Sequence, residues 1–207
     1  MVTVRINGEE SLPSIDRIGT MGDLVEFVKA NIDPDEIIVG LQLQGKDLSD
    51  ADWRVPLSVQ GDAVLDVTTG TRGEYLDDRL KSAPEILEAI VTQLAESREF
   101  FQNGNNERGN ELFSKTADDM RAFFGWYSSV LSLLPDHADQ HTEAMNQVVE
   151  AVGETCEKLV QQQLYHSWWA LGETIESRLE PQLGELRAIC ERLATSWSDA
   201  SGSAGDR

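Results

Sequence analysis

The stretch Ile37-Ile-Val-Gly-Leu-Gln-Leu43 places Ile37, Val39, Leu41 and Leu43 on one side of an extended chain and Gln42, with Gln44 beyond it, on the other. A period of two marks a strand with one face buried, because successive side chains of an extended backbone point to opposite faces. Further along the chain, Ala63, Leu65 and Val67 repeat the alternation with Asp66 and Thr68 facing out. Toward the amino terminus, residues 2–6 (Val-Thr-Val-Arg-Ile) alternate as well and run into Asn7-Gly8, two residues that tolerate positive φ and so favour a tight hairpin. The returning strand is expected around residues 12–15, at a sheet edge, since Pro13 has no N–H to donate to a ladder. Thr20 with Asp23 then forms a reciprocal cap pattern, and Leu24, Val25, Val28 and Ile32 follow at helical spacing, which predicts a short helix ending before Pro34.

The order strand, strand, helix, strand, connection, strand, with the phrase Leu41-Gln-Leu-Gln-Gly-Lys-Asp-Leu48, resembles a ubiquitin-like β-grasp domain over residues 1–70. Ubiquitin meets its receptors through an exposed aliphatic patch. The matching positions here are Gln42 and Thr68, so the resemblance implies a polar surface in its place. No free carboxyl-terminal Gly-Gly is present, because Thr68-Thr-Gly-Thr-Arg-Gly-Glu-Tyr75 runs on into further sequence. The resemblance therefore implies an embedded docking or spacing module and not a conjugated modifier.

Behind a short link around residues 69–73, the period changes from two to between three and four. Ser82-Ala-Pro-Glu85 has the pattern of a capping box with proline in the first turn, opening a helix that carries Ile86, Leu87, Ile90, Val91, Leu94 and Phe101 to Gln102. A second helix is expected at about 107–134, rich in aromatic residues and stopped by Pro135-Asp136; a third at 138–164; and a fourth from Ser167 to Trp197. Connections of a few residues favour antiparallel neighbours. The predicted class is α+β: a ubiquitin-like β-grasp domain at 1–70, an all-α up-and-down four-helix bundle at 74–197, and a disordered tail at 198–207. The phrase Trp168-Trp-Ala-Leu-Gly-Glu-Thr-Ile-Glu-Ser-Arg-Leu-Glu-Pro181 is similar to bacterial helical-bundle proteins of unknown role, some of them proposed partners in flagellar export. No residue roles are carried over from them.

Composition narrows function more than it names it. With 37 acidic against 17 basic side chains, the net charge is -20, and a surface of that sign repels nucleic-acid backbones and anionic lipid. The excess is shared, with 13 acidic and 5 basic residues in 1–70 and 24 and 12 in the remainder. A basic protein partner is the complement to such a surface. No apolar run approaches a membrane span, and the amino terminus lacks a basic segment followed by an apolar one; a cytoplasmic location is expected. Cys156 and Cys190 lack metal or disulfide spacing and are expected as buried, reduced thiols.

Two places carry candidate chemistry. In Gln163-Leu-Tyr-His-Ser-Trp-Trp169, Trp168 continues with Leu171, Ile175 and Leu179 as a core stripe, while Trp169 is rotated about 100° around the helix. Trp169 then either packs beneath the turn at Tyr165 and His166 or joins an exposed apolar patch of the kind that marks a partner surface. Pro181 cannot bond the carbonyl of Ser177 and is expected to kink or break the helix. Tyr165, His166, Trp169 and Pro181 are thus the candidate partner-binding residues. The second place is His137 with His141, one helical turn apart, where Asp136, Asp139 or Glu143 could add oxygen ligands; it supports an alternative reading as a metal-dependent regulator or small enzyme. No phosphate-binding glycine loop, nucleophile elbow or zinc-protease motif is found in the chain, and no cofactor is expected. Carboxylate pairs such as Glu173 with Glu176 suit solvated faces on so acidic a chain. The expected function is a non-catalytic adaptor, scaffold or chaperone-like binder of a basic or helical protein, with homodimerisation through a bundle face as a further option.

Overall fold

A computed structural model of the chain describes residues 2–10, 18–49, 51–134 and 139–204, with the side chains of 139–142 and 201–204 left aside. The expected strand around residues 12–15, the helix stop at Pro135-Asp136, His137 and the last three residues lie outside the described residues. The protein is mixed α+β, with a five-stranded sheet followed by helices. It divides into two compact units, Met1–Tyr75 and Leu76–Arg207.

In the first unit, strands β1 (Thr3–Ile6), β2 (Glu9–Glu10), β3 (Glu36–Leu43), β4 (Lys46–Asp47) and β5 (Val64–Thr71) lie in the order β2-β1-β5-β3-β4. The β1–β5 pair is parallel and the others are antiparallel. Asn7 and Gly8 turn β1 into β2 with φ of 51° and 85°, the positive pair that a tight hairpin demands. Helix α1 (Met21–Lys29) starts on the predicted reciprocal cap: the Asp23 N–H donates to Thr20 Oγ1 at 3.2 Å and the Thr20 N–H to Asp23 Oδ2 at 3.1 Å. Met21, Leu24 and Val28 of α1 pack with Val2, Val4, Leu65 and Val67 of the sheet in one apolar core.

The alternation in β3 needs a correction. Ile38 pairs with Thr69 and Gly40 with Thr68, leaving Val39 as an extra residue in a bulge. One inserted residue reverses the phase of a strand. Ile38, Leu41 and Leu43 therefore pack against the core, whereas unbroken alternation puts Ile37 and Val39 there.

The second correction is where the long helices begin. Helix α2 (Arg72–Gln102) follows β5 directly and passes through Pro84. Its cap is Thr71 with Glu74, not Ser82 with Glu85. The Thr71 hydroxyl and N–H donate to Glu74 Oε2 at 2.8 and 3.1 Å, and the Glu74 N–H donates to Thr71 Oγ1 at 3.2 Å. Ser82 instead donates its hydroxyl to the Asp78 carbonyl at 2.7 Å, which is what a serine does inside a helix. Residues 69–73 are the end of a strand and the start of a helix.

Helices α3 (Asn106–Leu131) and α4 (Asp139–Leu164) follow, then one helical run made of α5 (Trp168–Thr174), a π segment (Ile175–Leu179) and α6 (Glu180–Ala204). Cross-helix bonds link α2 to α3 through the Ser97 hydroxyl on the Gly109 carbonyl at 2.8 Å, and α4 to α3 through Gln163 on Asn110 at 2.7 Å. They link α4 to α6 through Gln182 on the Ala151 carbonyl at 3.2 Å, and α2 to α6 through Arg98 on Glu180 at 3.0 Å. Each long helix thus has two bonded neighbours around a common core that includes Leu87, Leu94, Phe123, Leu159, Leu171 and Leu183.

Gly109 sits where α3 packs tightly on α2, since a Cβ there would fall 2.8 Å from the Phe101 ring. Residues 198–204, expected as disordered, continue α6, and Ser198 donates to Asp77 Oδ1 at 2.7 Å. Pro181 does not break the run. The preceding π turn, in which the Glu180 N–H reaches the Ile175 carbonyl five residues back, re-phases the backbone bonds around it. Both cysteines are free thiols, Cys190 buried and Cys156 half-buried. Burial pushes Cys190 up to about 11 and raises Cys156 in the same direction.

Candidate functional site

Two helix ends form the site. Helix α2 closes on Gly104, whose N–H bonds the Phe101 carbonyl at 3.2 Å, while the Asn105 N–H reaches back to Phe100 at 2.9 Å. Helix α4 closes the same way on His166: its N–H bonds the Gln163 carbonyl at 3.1 Å and the Ser167 N–H reaches Gln162 at 2.8 Å. This double bond pattern places the residue after the cap in the left-handed region. Gly104 takes it at φ 80° and His166 at φ 54°. A histidine there carries backbone strain that glycine would avoid.

That turn fixes what the aromatic residues do. Trp168 opens α5 and stacks on Phe101, with ring centroids 5.7 Å apart and planes 4° from parallel, and the His166 ring lies 5.3 Å from Trp168 at 38°. Gly172 lets α5 come close to α2, its Cβ position lying 3.4 Å from Phe101 Cβ. Trp168 is therefore packing. Trp169, one residue on, is 64 % exposed, and Tyr165 is 81 % exposed. Trp169, His166, Trp168 and Phe101 line a shallow cleft of about 570 Å³ closed by Gly104 and Asn106.

Of the four candidate residues, the structure brings His166 and Trp169 into this cleft. Tyr165 adjoins His166 in the turn but does not line the cleft, and Pro181, exposed at the start of α6, is not part of it. The spacing argument missed Leu164, 72 % exposed, and Val160, 52 % exposed, because both continue the apolar period of α4 and read as core. Val160 and Leu164 are one turn apart, so an apolar line runs from α4 into the turn. Acidic side chains follow the turn in sequence. Glu173, exposed, lies one turn past Trp169, and Glu176 is held by Arg98 Nη1 at 3.2 Å and Gln102 Nε2 at 3.2 Å.

Most of the alternative site falls outside the described residues. His137 lies outside the described residues, and of His141 only the helical backbone is described. Among the described residues no group of three or more His, Cys, Asp or Glu side chains is placed to hold a metal ion, and no helix is long and apolar enough to cross a membrane. No family model, curated protein or solved structure matches the chain.

Proposed function

We propose that the chain is a non-catalytic adaptor, scaffold or chaperone-like protein that captures a protein partner at the aromatic end of its helical unit. The observation that carries this reading is the exposure of Leu164, Tyr165 and Trp169 around the turn between α4 and α5. Single exposed apolar residues are ordinary, but three large ones at one turn, tyrosine and tryptophan among them, have the composition of a protein interface. The strained backbone at His166 supports the same reading, since such strain collects at binding sites.

Within this proposal the first unit is a ubiquitin-like β-grasp module, supported by its strand order, its central parallel pair and the helix packed on its sheet. Gln42 and Thr68 are both exposed, so the surface that ubiquitin uses for its receptors is polar here and the module serves as a spacer or a differently addressed dock. The second unit is an up-and-down four-helix bundle whose fourth helix is the run from Trp168 to Ala204, supported by the cyclic pattern of cross-helix bonds. A net charge of -20 favours a basic partner and speeds its encounter at low salt, and a cytoplasmic setting suits two free thiols.

The test is capture from host lysate by the wild type and by Trp169→Ala, quantified protein by protein. One protein recovered by the wild type and depleted at least tenfold with the variant supports the reading. Identical recovery profiles from two equally stable baits overturn it.

A further inference from the structure

A second concave surface lies along the bundle, between α3 and α4. It encloses about 470 Å³ over an apolar floor that includes Phe113, Met120, Phe124, Leu159 and, from the π segment, Leu179, with Cys156 on its wall. Helix α4 presents Cys156, Leu159, Val160 and Gln163 to it, at i, i+3, i+4 and i+7, and α3 presents Phe113, Ala117 and Phe124 at i, i+4 and i+11. Such spacings keep each set on one helix face. Eleven residues at 1.5 Å each give the α3 ridge a length of roughly 16 Å, the length of about three turns of a guest helix, and the α4 ridge is roughly 10 Å long.

Two glycines add to the picture. Gly125 in α3 and Gly153 in α4 sit in helix interiors, where glycine is less stable than alanine. A Cβ at either would meet nothing within 4 Å. Gly109, by contrast, is required by the nearby Phe101 ring. By helical phase Gly153 falls beside the Val160 edge and Gly125 beside the Ser114 and Arg121 edge, both exposed and next to the groove lining.

The rim states the charge of that guest. On α3 the groove is lined by Asp118 and Arg121, which pair with each other at 2.7 Å, and Glu111 outside it pairs with Arg108 at 2.7 Å, so the charges of that side balance and the excess comes from α4. On α4, Glu150 and Glu157 are exposed, sit seven residues apart beside the apolar stripe, and make no ion pair among the described residues. A second copy of this chain brings a net charge of -20 to that edge, which a basic helix does not.

We propose that the α3–α4 groove seats an amphipathic helix of a partner protein, apolar on one face and rich in lysine or arginine along the edges of that face. This names the partner's chemistry within the protein-binding reading and rests on it. The guest helix lies apolar face down between the ridges, with its cations over Glu150 and Glu157. This is helix-in-groove recognition, read through anchors at i, i+4 and i+7.

The probe is a labelled 18-residue helix of leucine and lysine, with glutamine and glutamate versions of equal hydrophobicity, titrated into the full chain. The lysine helix is expected to bind at least tenfold more tightly than either analogue. Ser114→Lys and Val160→Lys, both at exposed groove positions, are expected to weaken it at least tenfold. Ile86→Lys, which adds the same charge on the α2–α3 face, leaves it within twofold. Saturating peptide should also slow maleimide labelling of Cys156 at least tenfold, a readout that charge attraction elsewhere on the surface would not move. Equal binding of the three helices, binding indifferent to Ser114→Lys and Val160→Lys, or unprotected Cys156 overturns the proposal. So does a sedimenting dimer that Val160→Lys dissolves, which would make the occupant a second copy. Trp169→Ala leaves the groove intact, so loss of lysate capture with that variant and loss of peptide binding with the groove variants report on the two readings separately.

Discussion

Adjacent tryptophans with opposite fates are the clearest residue-scale result. Trp168 lies flat on Phe101 and Trp169 stands 64 % exposed, because neighbouring residues on a helix are separated by about 100°. Trp168→Ala should cost about 2 kcal/mol of unfolding free energy, below the full range for a buried aromatic because the ring is half-buried. Trp169→Ala should stay within about 0.5 kcal/mol of the wild type. Urea unfolding of the two variants checks both, and equal losses would mean that Trp169 is also packing. Gly109→Ala belongs at this scale too. Its methyl would sit 2.8 Å from the Phe101 ring beneath the buried bond from Ser97 to the Gly109 carbonyl, and an overpacked contact of this kind costs about 1–3 kcal/mol. A variant as stable as the wild type would show that α2 and α3 can separate at no cost.

At the scale of the element, the start of α2 separates two capping patterns that look alike in sequence. Thr71→Ala removes the acceptor of the Glu74 N–H and the hydroxyl donor to its carboxylate, and should cost about 1 kcal/mol. Ser82→Ala, whose hydroxyl only bonds back to the Asp78 carbonyl, should be neutral or slightly stabilising. The Thr71 hydroxyl, and after it the Thr71 N–H, hold the Glu74 carboxyl below its ordinary value. A depressed carboxylate stabilises the fold above the unfolded-state pKa and loses that contribution as pH falls through the carboxylate range. The stability gap between wild type and Thr71→Ala should therefore narrow as the pH is lowered from about 7 to about 3. A constant gap would place the benefit of Thr71 outside the cap.

These elements also show what was legible in the sequence. The Asn7-Gly8 hairpin, the Thr20 cap of α1 and the amphipathic stripes of the long helices depend on contacts within a few residues, and local pattern carried them. The Val39 bulge depends on register against Thr68 and Thr69 of a distant strand, so the alternation of β3 alone placed Ile37 and Val39 on the wrong face. Ser82-Ala-Pro-Glu85 satisfies a capping rule equally well inside a helix, and only the bonds at Thr71 and Glu74 decide between the two starts. Pro181 was expected to kink or break its helix because sequence alone does not reveal the π turn that accommodates it. At the candidate site, the rotation of Trp169 away from the core was legible, while Val160 and Leu164 were not. Their apolar period matches that of the core, and exposure depends on which neighbour is absent.

On the scale of the whole molecule, the net charge is -20, and residues 71–207, which hold the apolar end and the apolar groove, carry 24 acidic against 12 basic side chains. Attraction at the rim should set the association rate and its salt dependence, while aromatic burial sets the lifetime of the complex. The proposed adaptor role depends on the aromatic end being a docking surface, and the direct measurement is the Kd between the chain and the protein it captures. The comparison is between wild type and the Tyr165→Ala, Trp169→Ala double variant, after urea unfolding has shown the two to be equally stable. The expected result is a loss of at least ~30-fold, the scale of an interface anchor worth about 2 kcal/mol. A Kd unchanged within a factor of about two would contradict it and place the docking surface elsewhere on the molecule.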